Sequence, residues 1–322
     1  MSSKPSAVFL DFATLGPEVN TRSLDALVDA RYFQYSDRRE LAERLEDAEI
    51  AILNKVKLDG DAIRAAPRLR LVVLTATGTD NVDTAAAGAR GIGVANVRDY
   101  CSAAVAQHVF ALILELTHHI GRYDELARSG AWAASPSFAL FDRPIRELGG
   151  RTLGIVGFGA LGQAVARLGR CFGMDVLVSA RPRRETGDAG SGRAPFATVL
   201  READVLSLHC PLTEATHHLI GAPELKRMKQ NALLINTARG ALVDADALAA
   251  ALRRGEIGGA GIDVLPVEPP PANEPLLAKD IPNLVVTPHV AWAAREARQR
   301  ALEQVAENVA SFLSGGRLRR IV

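Results

Sequence analysis

The chain has 322 residues, with 38 Lys and Arg against 37 Asp and Glu, a net charge of +1 and 48% hydrophobic residues. That length suits two domains rather than one core, and the near-neutral balance argues against a general nucleic-acid or membrane surface. No apolar run reaches the ~18 residues that a bilayer span needs. The start, MSSKPSAVFLDFATLG, carries no charged-then-apolar leader pattern. Cys101, Cys171 and Cys210 are widely spaced and odd in number, which fits a reducing compartment rather than a disulfide framework. A cytoplasmic soluble enzyme or binding protein is expected.

In chain order, Ala7 to Phe12, Ile50 to Leu53, Leu71 to Thr75 and Gly93 to Asn96 read as strands, with helical stretches such as Arg38 to Glu46 and Gly60 to Ala65 between them. This alternation predicts a parallel sheet flanked by helices. A long helix is expected from Ser102 to His119, and residues 121–150 read as irregular. A second alternation starts with the strand Thr152 to Val156, a glycine loop and a helix from Gly162 to Phe172. Strands are then expected at Asp175 to Val178, Val205 to His209, Ala232 to Asn236, Gly261 to Val264 and Leu284 to Thr287. The chain ends in a helix from Arg295 to Leu313, too little for a domain of its own. The expected fold is α/β, with two Rossmann-like doubly wound domains. The nucleotide-binding domain, residues 100–290, is inserted into a discontinuous flavodoxin-like substrate domain of residues 1–99 and 291–322. A cleft between the two is where a ligand would bind.

The glycine loop is Gly157-Phe158-Gly159-Ala160-Leu161-Gly162. As a bare pattern GxGxxG is weak, but here it follows a strand and opens a helix. Gly157 permits the tight turn, Gly159 lets the backbone approach a pyrophosphate, and Gly162 lets the helix sit close to the sheet. The free amides and the helix dipole would hold the diphosphate. At the end of the next strand an acid would select NADH by bonding the ribose 2′-hydroxyl. Ala180 stands there instead, followed by Arg181, Arg183 and Arg184. Guanidinium groups suit a 2′-phosphate, which favours NADPH; a solvated basic loop in an NADH enzyme is the alternative.

Three further polar residues stand in separate segments: Arg239 in INTARGALVD, Glu268 in DVLPVEPP and His289 in VVTPHVAW. Each follows a strand of the expected nucleotide domain, at the carboxyl ends where open α/β sheets bind ligands. Reduction of a 2-keto acid needs a cation to anchor the carboxylate and polarise the carbonyl, and an acid to protonate the oxygen. It also needs a group that orients the acid. Arg239, His289 and Glu268 suit these roles in that order, with Glu268 expected to raise the pKa of His289. Singly each has a bland reading, as a surface arginine, a satisfied histidine or a capping carboxylate; together, behind a glycine loop, they point to a reaction.

On these segments the chain resembles the D-isomer-specific 2-hydroxyacid dehydrogenases over nearly its whole length. The resemblance is carried by TATGTDNVD (75–83), TLGIVGFGALGQAVA (152–166), ADVLSLHCPLT (203–213), MKQNALLINTARGALVD (228–244), GGAGIDVLPVEPP (258–270) and VTPHVAWAAREA (286–297). Within that family, ATGTDNVD, HCPLT and PHVAW are most similar to the bacterial glycerate dehydrogenases, or hydroxypyruvate reductases. The resemblance implies reduction of hydroxypyruvate and glyoxylate to D-glycerate and glycolate, with NADP or NAD as cofactor. It implies that Arg239 binds the substrate, that His289 is the acid/base and that Glu268 pairs with it. Backbone amides at Thr77-Gly78 would receive the carboxylate, and Asn54 and Lys55 would line the substrate pocket. Gly159, Ala160 and Leu161 would contact the pyrophosphate, Pro211 would lie near the adenosine, and Thr237, Ala238 and Asp263 would border the nicotinamide. A homodimer is implied, built on the long helix and the 121–150 arm, whose Trp132 or Phe138 would reach the partner's site. The chain departs from its nearest relatives at Ala180, where many carry an acid.

Other features carry less. His118-His119 and His217-His218 have no partner at metal-ligand spacing, so no metal is expected. His108 lies on an apolar helix, His209 reads as structural, and Cys210 has no base arranged beside it. Trp292 would either wall the substrate pocket or serve the core. The competing readings are a dehydrogenase for a larger D-2-hydroxy acid and a non-enzymatic dinucleotide-sensing binding protein.

Overall fold

In the computed structural model, which describes residues 4–182 and 192–322, one unit comprises Met1–Cys101 with Ala293–Val322. Its strands are β1 (Ser6–Phe9), β2 (Asp29–Tyr32), β3 (Ile50–Leu53), β4 (Leu71–Leu74) and β5 (Gly93–Ala95). All pair in parallel, in the order β2-β1-β3-β4-β5. This is the flavodoxin-like winding, which reverses direction between β1 and β3. The central strands IAIL and LVVL are buried at every residue, as expected of strands covered on both faces. The Arg295–Leu313 helix belongs to this unit, burying Ala297, Ala301, Leu302, Val305 and Val309. Beyond it the chain end runs antiparallel to β5, with Ile321 N donating to Val94 O at 2.7 Å. The edge strand is thereby covered.

The second unit is Ser102–Trp292. It holds β6 (Thr152–Val156), β7 (Asp175–Val178), β8 (Val205–Leu208), β9 (Leu233–Asn236), β10 (Gly259–Ile262) and β11 (Leu284–Val286), again parallel, ordered β11-β10-β9-β8-β6-β7. The switch point lies at β6, between β7 and β8. Beyond β7, where a full dinucleotide fold would add a further strand, the described residues make one parallel bridge, Ser179 to Ala194. There Ala180 N donates to Ala194 O at 2.7 Å and Ala194 N to Val178 O at 2.8 Å. The fold is thus α/β with two doubly wound parallel sheets, and among the described residues no helix is long and apolar enough to cross a membrane.

Several element expectations are corrected. Strand β2 was not anticipated, because DARY alternates exposed and half-buried residues and reads as polar. Residues 120–128 are helical rather than irregular, with no buried side chain and with Arg122–Glu125 and Arg128–Asp124 pairs along the surface. Strand β10 lies two residues earlier than expected. Its glycines are what the packing demands: a Cβ on Gly261 would sit 2.9 Å from Leu112 Cβ, so glycine lets the Ser102–His118 helix lie against the sheet. The helix after the glycine loop starts at Ala160 rather than Gly162.

Candidate active site

The carboxyl end of β6 runs into the glycine loop. Gly157 has φ 93°, and a Cβ there would lie 2.5 Å from Cys210 N and from His209 C, so the loop turns directly against the end of β8. A Cβ on Gly162 would meet Gly157 O at 2.1 Å, which closes the strand–helix junction. Gly159 is different: its φ of −78° is open to any residue, and a Cβ there would meet nothing within 4 Å. Folding therefore does not require glycine at 159, whereas a backbone cradle for a diphosphate does. Ala160, Leu161 and Gly162 follow in the first turn of the helix Ala160–Cys171, where amides lack intrahelical acceptors.

Arg239 follows β9 on a turn shaped by Asn236. Asn236 Nδ2 donates to Arg239 O at 2.9 Å, and its Oδ1 accepts from Ala238 N at 3.1 Å. Thr237 is buried and its hydroxyl has no hydrogen-bond partner; Ala238 is half-buried and Arg239 exposed. A Cβ on the next residue, Gly240, would stand 2.0 Å from the carbonyl carbon of Leu265 and 2.3 Å from Pro266 N. Glycine here brings the arginine turn into backbone contact with the loop that carries Glu268.

Glu268 uses both carboxylate oxygens. Oε1 accepts from Leu265 N at 2.9 Å, which folds the loop back on itself, and Oε2 lies 2.5 Å from His289 Nδ1. With a carboxylate on Nδ1, that nitrogen carries the proton donated to Glu268, and Nε2 is left for exchange with a ligand. The His289 side chain keeps 24% of its accessible surface and that of Glu268 keeps 34%, so the pair is open to a small molecule.

His289 itself has φ 54°, a left-handed conformation costly for a non-glycine residue. Asp263, 1% exposed, over-determines it. Its backbone oxygen accepts from His289 N at 2.8 Å. Its carboxylate accepts from Thr287 Oγ1 at 2.6 Å, Val290 N at 2.9 Å and Ala291 N at 2.9 Å. His108 completes the cluster, Nε2 lying 3.0 Å from Thr287 Oγ1 and 3.5 Å from Asp263 Oδ1. Asp263 is thus committed to shaping the turn under His289. The contributions of Asn236, Thr287 and His108 were missed in the sequence. The signal for Asn236 was an asparagine at a strand end ahead of a TARG turn.

The remaining residues divide by unit. Asn54 and Lys55 follow β3, and Thr77 and Gly78 follow the neighbouring β4; Asn96 Nδ2 steadies that second turn by donating to Thr77 O at 2.8 Å. Trp292 is the last residue of the second unit. Ala180 is half-buried at the end of β7, Arg181 is exposed, and Arg183 and Arg184 lie outside the described residues. Pro211 is exposed on the loop after β8, its carbonyl bonded by Thr216 Oγ1 at 2.7 Å. His209 is half-buried, and desolvation of its ring lowers its pKa to about 4, with Nε2 2.9 Å from Ser207 Oγ. Burial pushes the Cys210 thiol up to about 11, away from nucleophilic use at neutral pH. No group of three or more His, Cys, Asp or Glu that could hold a metal occurs among the described residues.

Residues 110–291 match the family model described as "D-isomer specific 2-hydroxyacid dehydrogenase, NAD binding domain". The chain belongs to the D-isomer-specific 2-hydroxyacid dehydrogenase family. It is 44% identical over 306 residues to a glycerate dehydrogenase of Methylorubrum extorquens, covering 92% of this chain and 95% of that one. It is 33% identical over 313 residues to a hydroxypyruvate reductase of Blautia hydrogenotrophica, covering 96% and 97%. Among solved structures, a D-lactate dehydrogenase of Aquifex aeolicus complexed with NAD and lactic acid matches with a TM-score of 0.79 at 30% identity, covering 96% of each chain. This dehydrogenase therefore uses a nicotinamide dinucleotide, and the Gly159 cradle fits one.

Proposed function

We propose that this dehydrogenase reduces hydroxypyruvate and glyoxylate, giving D-glycerate and glycolate. The observation that carries the reading is the His289–Glu268 pair at 2.5 Å, on a loop in backbone contact with the Arg239 turn. The names of the two curated relatives, a glycerate dehydrogenase and a hydroxypyruvate reductase, point to the hydroxypyruvate–glycerate pair. When bound, the nicotinamide supplies the hydride to the carbonyl carbon. Arg239 anchors the substrate carboxylate and polarises the keto oxygen through its guanidinium fork. His289 gives the Nε2 proton to that oxygen, and Glu268 holds Nδ1–H and stabilises the imidazolium before the transfer. In the oxidative direction His289 Nε2 takes the hydroxyl proton.

In this reading the first unit is the substrate domain. Asn54, Lys55 and the Thr77–Gly78 amides receive the substrate anion, and Trp292 contacts the remainder of the substrate. The second unit is the dinucleotide domain. Gly157, Gly159, Ala160, Leu161 and Gly162 hold the diphosphate, Pro211 lies by the adenosine, and Thr237, Ala238 and Asp263 border the nicotinamide. NADPH is preferred over NADH, because Ala180 offers no carboxylate to a ribose 2′-hydroxyl while Arg181 is exposed beside it. The enzyme works as a cytoplasmic homodimer; the three free cysteines support a reducing location.

Initial rates with hydroxypyruvate and glyoxylate, measured with NADPH and NADH side by side, test this. A higher kcat/KM with NADPH is expected. An NADH preference would overturn the cofactor assignment alone. No turnover of either acid, with turnover of a larger 2-keto acid, would overturn the substrate assignment. Failure on every keto acid would leave a dinucleotide-binding protein.

A further inference from the structure

The first unit reverses its winding between β1 and β3, and ligands of such sheets sit at the carboxyl ends of the strands flanking that point. The loop after β3 presents three successive backbone amides there, from Asn54, Lys55 and Val56. Consecutive N–H groups of this kind form a nest that usually captures an anion. Here the anion is the protein's own. Asp11, in the loop after β1 and 3% exposed, accepts from Asn54 N at 2.8 Å, Lys55 N at 2.6 Å and Val56 N at 3.0 Å. From the other side Asn81 Nδ2 donates to Val56 O at 2.8 Å and Asn54 O at 3.2 Å.

Asp11 is itself held rigidly. Phe12, the next residue, donates its N–H to Phe33 O at 2.8 Å and packs edge-on against Phe9 and Tyr32, with ring centroids 5.2 and 4.8 Å away. Thr14 Oγ1 donates to Asp11 O at 2.7 Å. Because the amides are taken by Asp11, any substrate contact from this loop falls to side chains, among them that of Asn54, whose buried Nδ2 has no hydrogen-bond partner.

We infer that Asp11 is a positioning residue for substrate binding: its carboxylate fills the nest at the switch point and thereby fixes the loop that presents Asn54 and Lys55. This rests on the substrate-binding role proposed above for those two residues. Two effects of Asp11 oppose one another, and their signs differ. If its charge mattered through space, removing it would favour an anionic substrate and lower KM. If it acts by holding the amides, removing it loosens the loop and raises KM.

The test is Asp11→Asn, which preserves volume but places an NH2 group against amide donors. KM for hydroxypyruvate should rise by about tenfold, a size suited to losing buried charge-assisted hydrogen bonds. The value of kcat should stay within about threefold, the signature of lost ground-state binding, with dinucleotide affinity unchanged. Amide exchange over residues 54–56, followed by mass spectrometry, should quicken in the same variant. Asp11→Asn in a Lys55→Ala background should add little to the KM already raised by Lys55→Ala. An unchanged or lower KM in a folded Asp11→Asn enzyme would overturn the inference, as would faster exchange without a change in KM. Should Asp11→Asn fail to fold, Asp11→Glu, which keeps the carboxylate and moves it, must show the same KM-selective loss. If the unsubstituted chain turns over no keto acid, it is the proposed function that has failed. If it turns over hydroxypyruvate normally and Lys55→Ala is silent, the inference and the pocket role of Lys55 have failed while the reaction stands.

Discussion

Asp11 and Asp263 are buried to 3% and 1% exposure, and among the described residues no lysine or arginine hydrogen-bonds to either carboxylate. Backbone amides answer the charge at Asp11, and at Asp263 they do so together with the Thr287 hydroxyl, so each carboxylate fixes the conformation of a loop that carries side chains of the proposed site. His209 shows the same economy with the opposite charge state. Burial alone takes its pKa from an ordinary 6.5 to about 4, so it stays neutral when folded and would charge when unfolded. The unfolded chain then binds the extra proton first. The stability His209 permits is complete above pH 6.5 and is lost as pH falls from 6.5 towards 4, by about 3 kcal/mol at most. Denaturant unfolding at pH 7.5 and pH 4.5 should therefore differ less in His209→Leu than in the unsubstituted chain. Parallel pH profiles would refute a neutral buried histidine. At this scale the segments of Arg239, Glu268 and His289 stood out in the sequence, and the structure pairs Glu268 with His289 on a loop touching the Arg239 turn. Asp11 did not stand out, because the amides it holds lie 43 to 45 residues away and nothing local marks it as more than an aspartate before a turn.

Among the elements, legibility followed burial. The strands IAIL and LVVL, buried throughout, were read within a residue of their ends, because continuous apolar runs of that length have few other uses. The strand DARY was missed since an edge strand keeps polar residues facing water. The helix Ile120–Arg128 was missed for a related reason: its few apolar side chains, Ile120, Tyr123 and Leu126, are exposed or half-buried and join no core, so charged residues dominate its sequence. Strand β10 misled through Gly259 and Gly261, which look like strand breakers locally. Their reason is tertiary: a Cβ on Gly261 would meet the Ser102–His118 helix at Leu112, and one on Gly259 would meet the Asn283 carbonyl. The same logic at Gly240 joins two loops that the sequence separates by more than twenty residues, and it explains how the Arg239 turn and the Glu268 loop come to touch.

For the whole molecule, the proposed homodimer has a physical basis on the second unit. An open apolar groove of about 530 Å³ runs between helices Ser102–His118 and Ala160–Cys171, lined by Ala106, Phe110, Leu114, Ala164, Leu168 and Phe172. In the same unit Phe138 and Phe141 are 90% and 86% exposed. Apolar surface of this extent favours a partner over water, so sedimentation should give twice the chain mass, and Phe138→Ser with Phe141→Ser should weaken the association. A monomer at micromolar concentration would rule the dimer out. Sequence alone could not reach this level, because a groove is a property of two helices in contact and neither helix records it.

In the proposed reaction His289, oriented by Glu268, moves the proton in keto-acid reduction. This role is tested most directly by steady-state hydroxypyruvate reduction in His289→Ala, with dinucleotide affinity measured on the same preparation. Loss of the positioned acid should lower kcat by at least about a hundredfold while the cofactor dissociation constant stays within about twofold, since His289 touches none of the glycine-loop amides. A variant that kept comparable turnover would show that another group moves the proton.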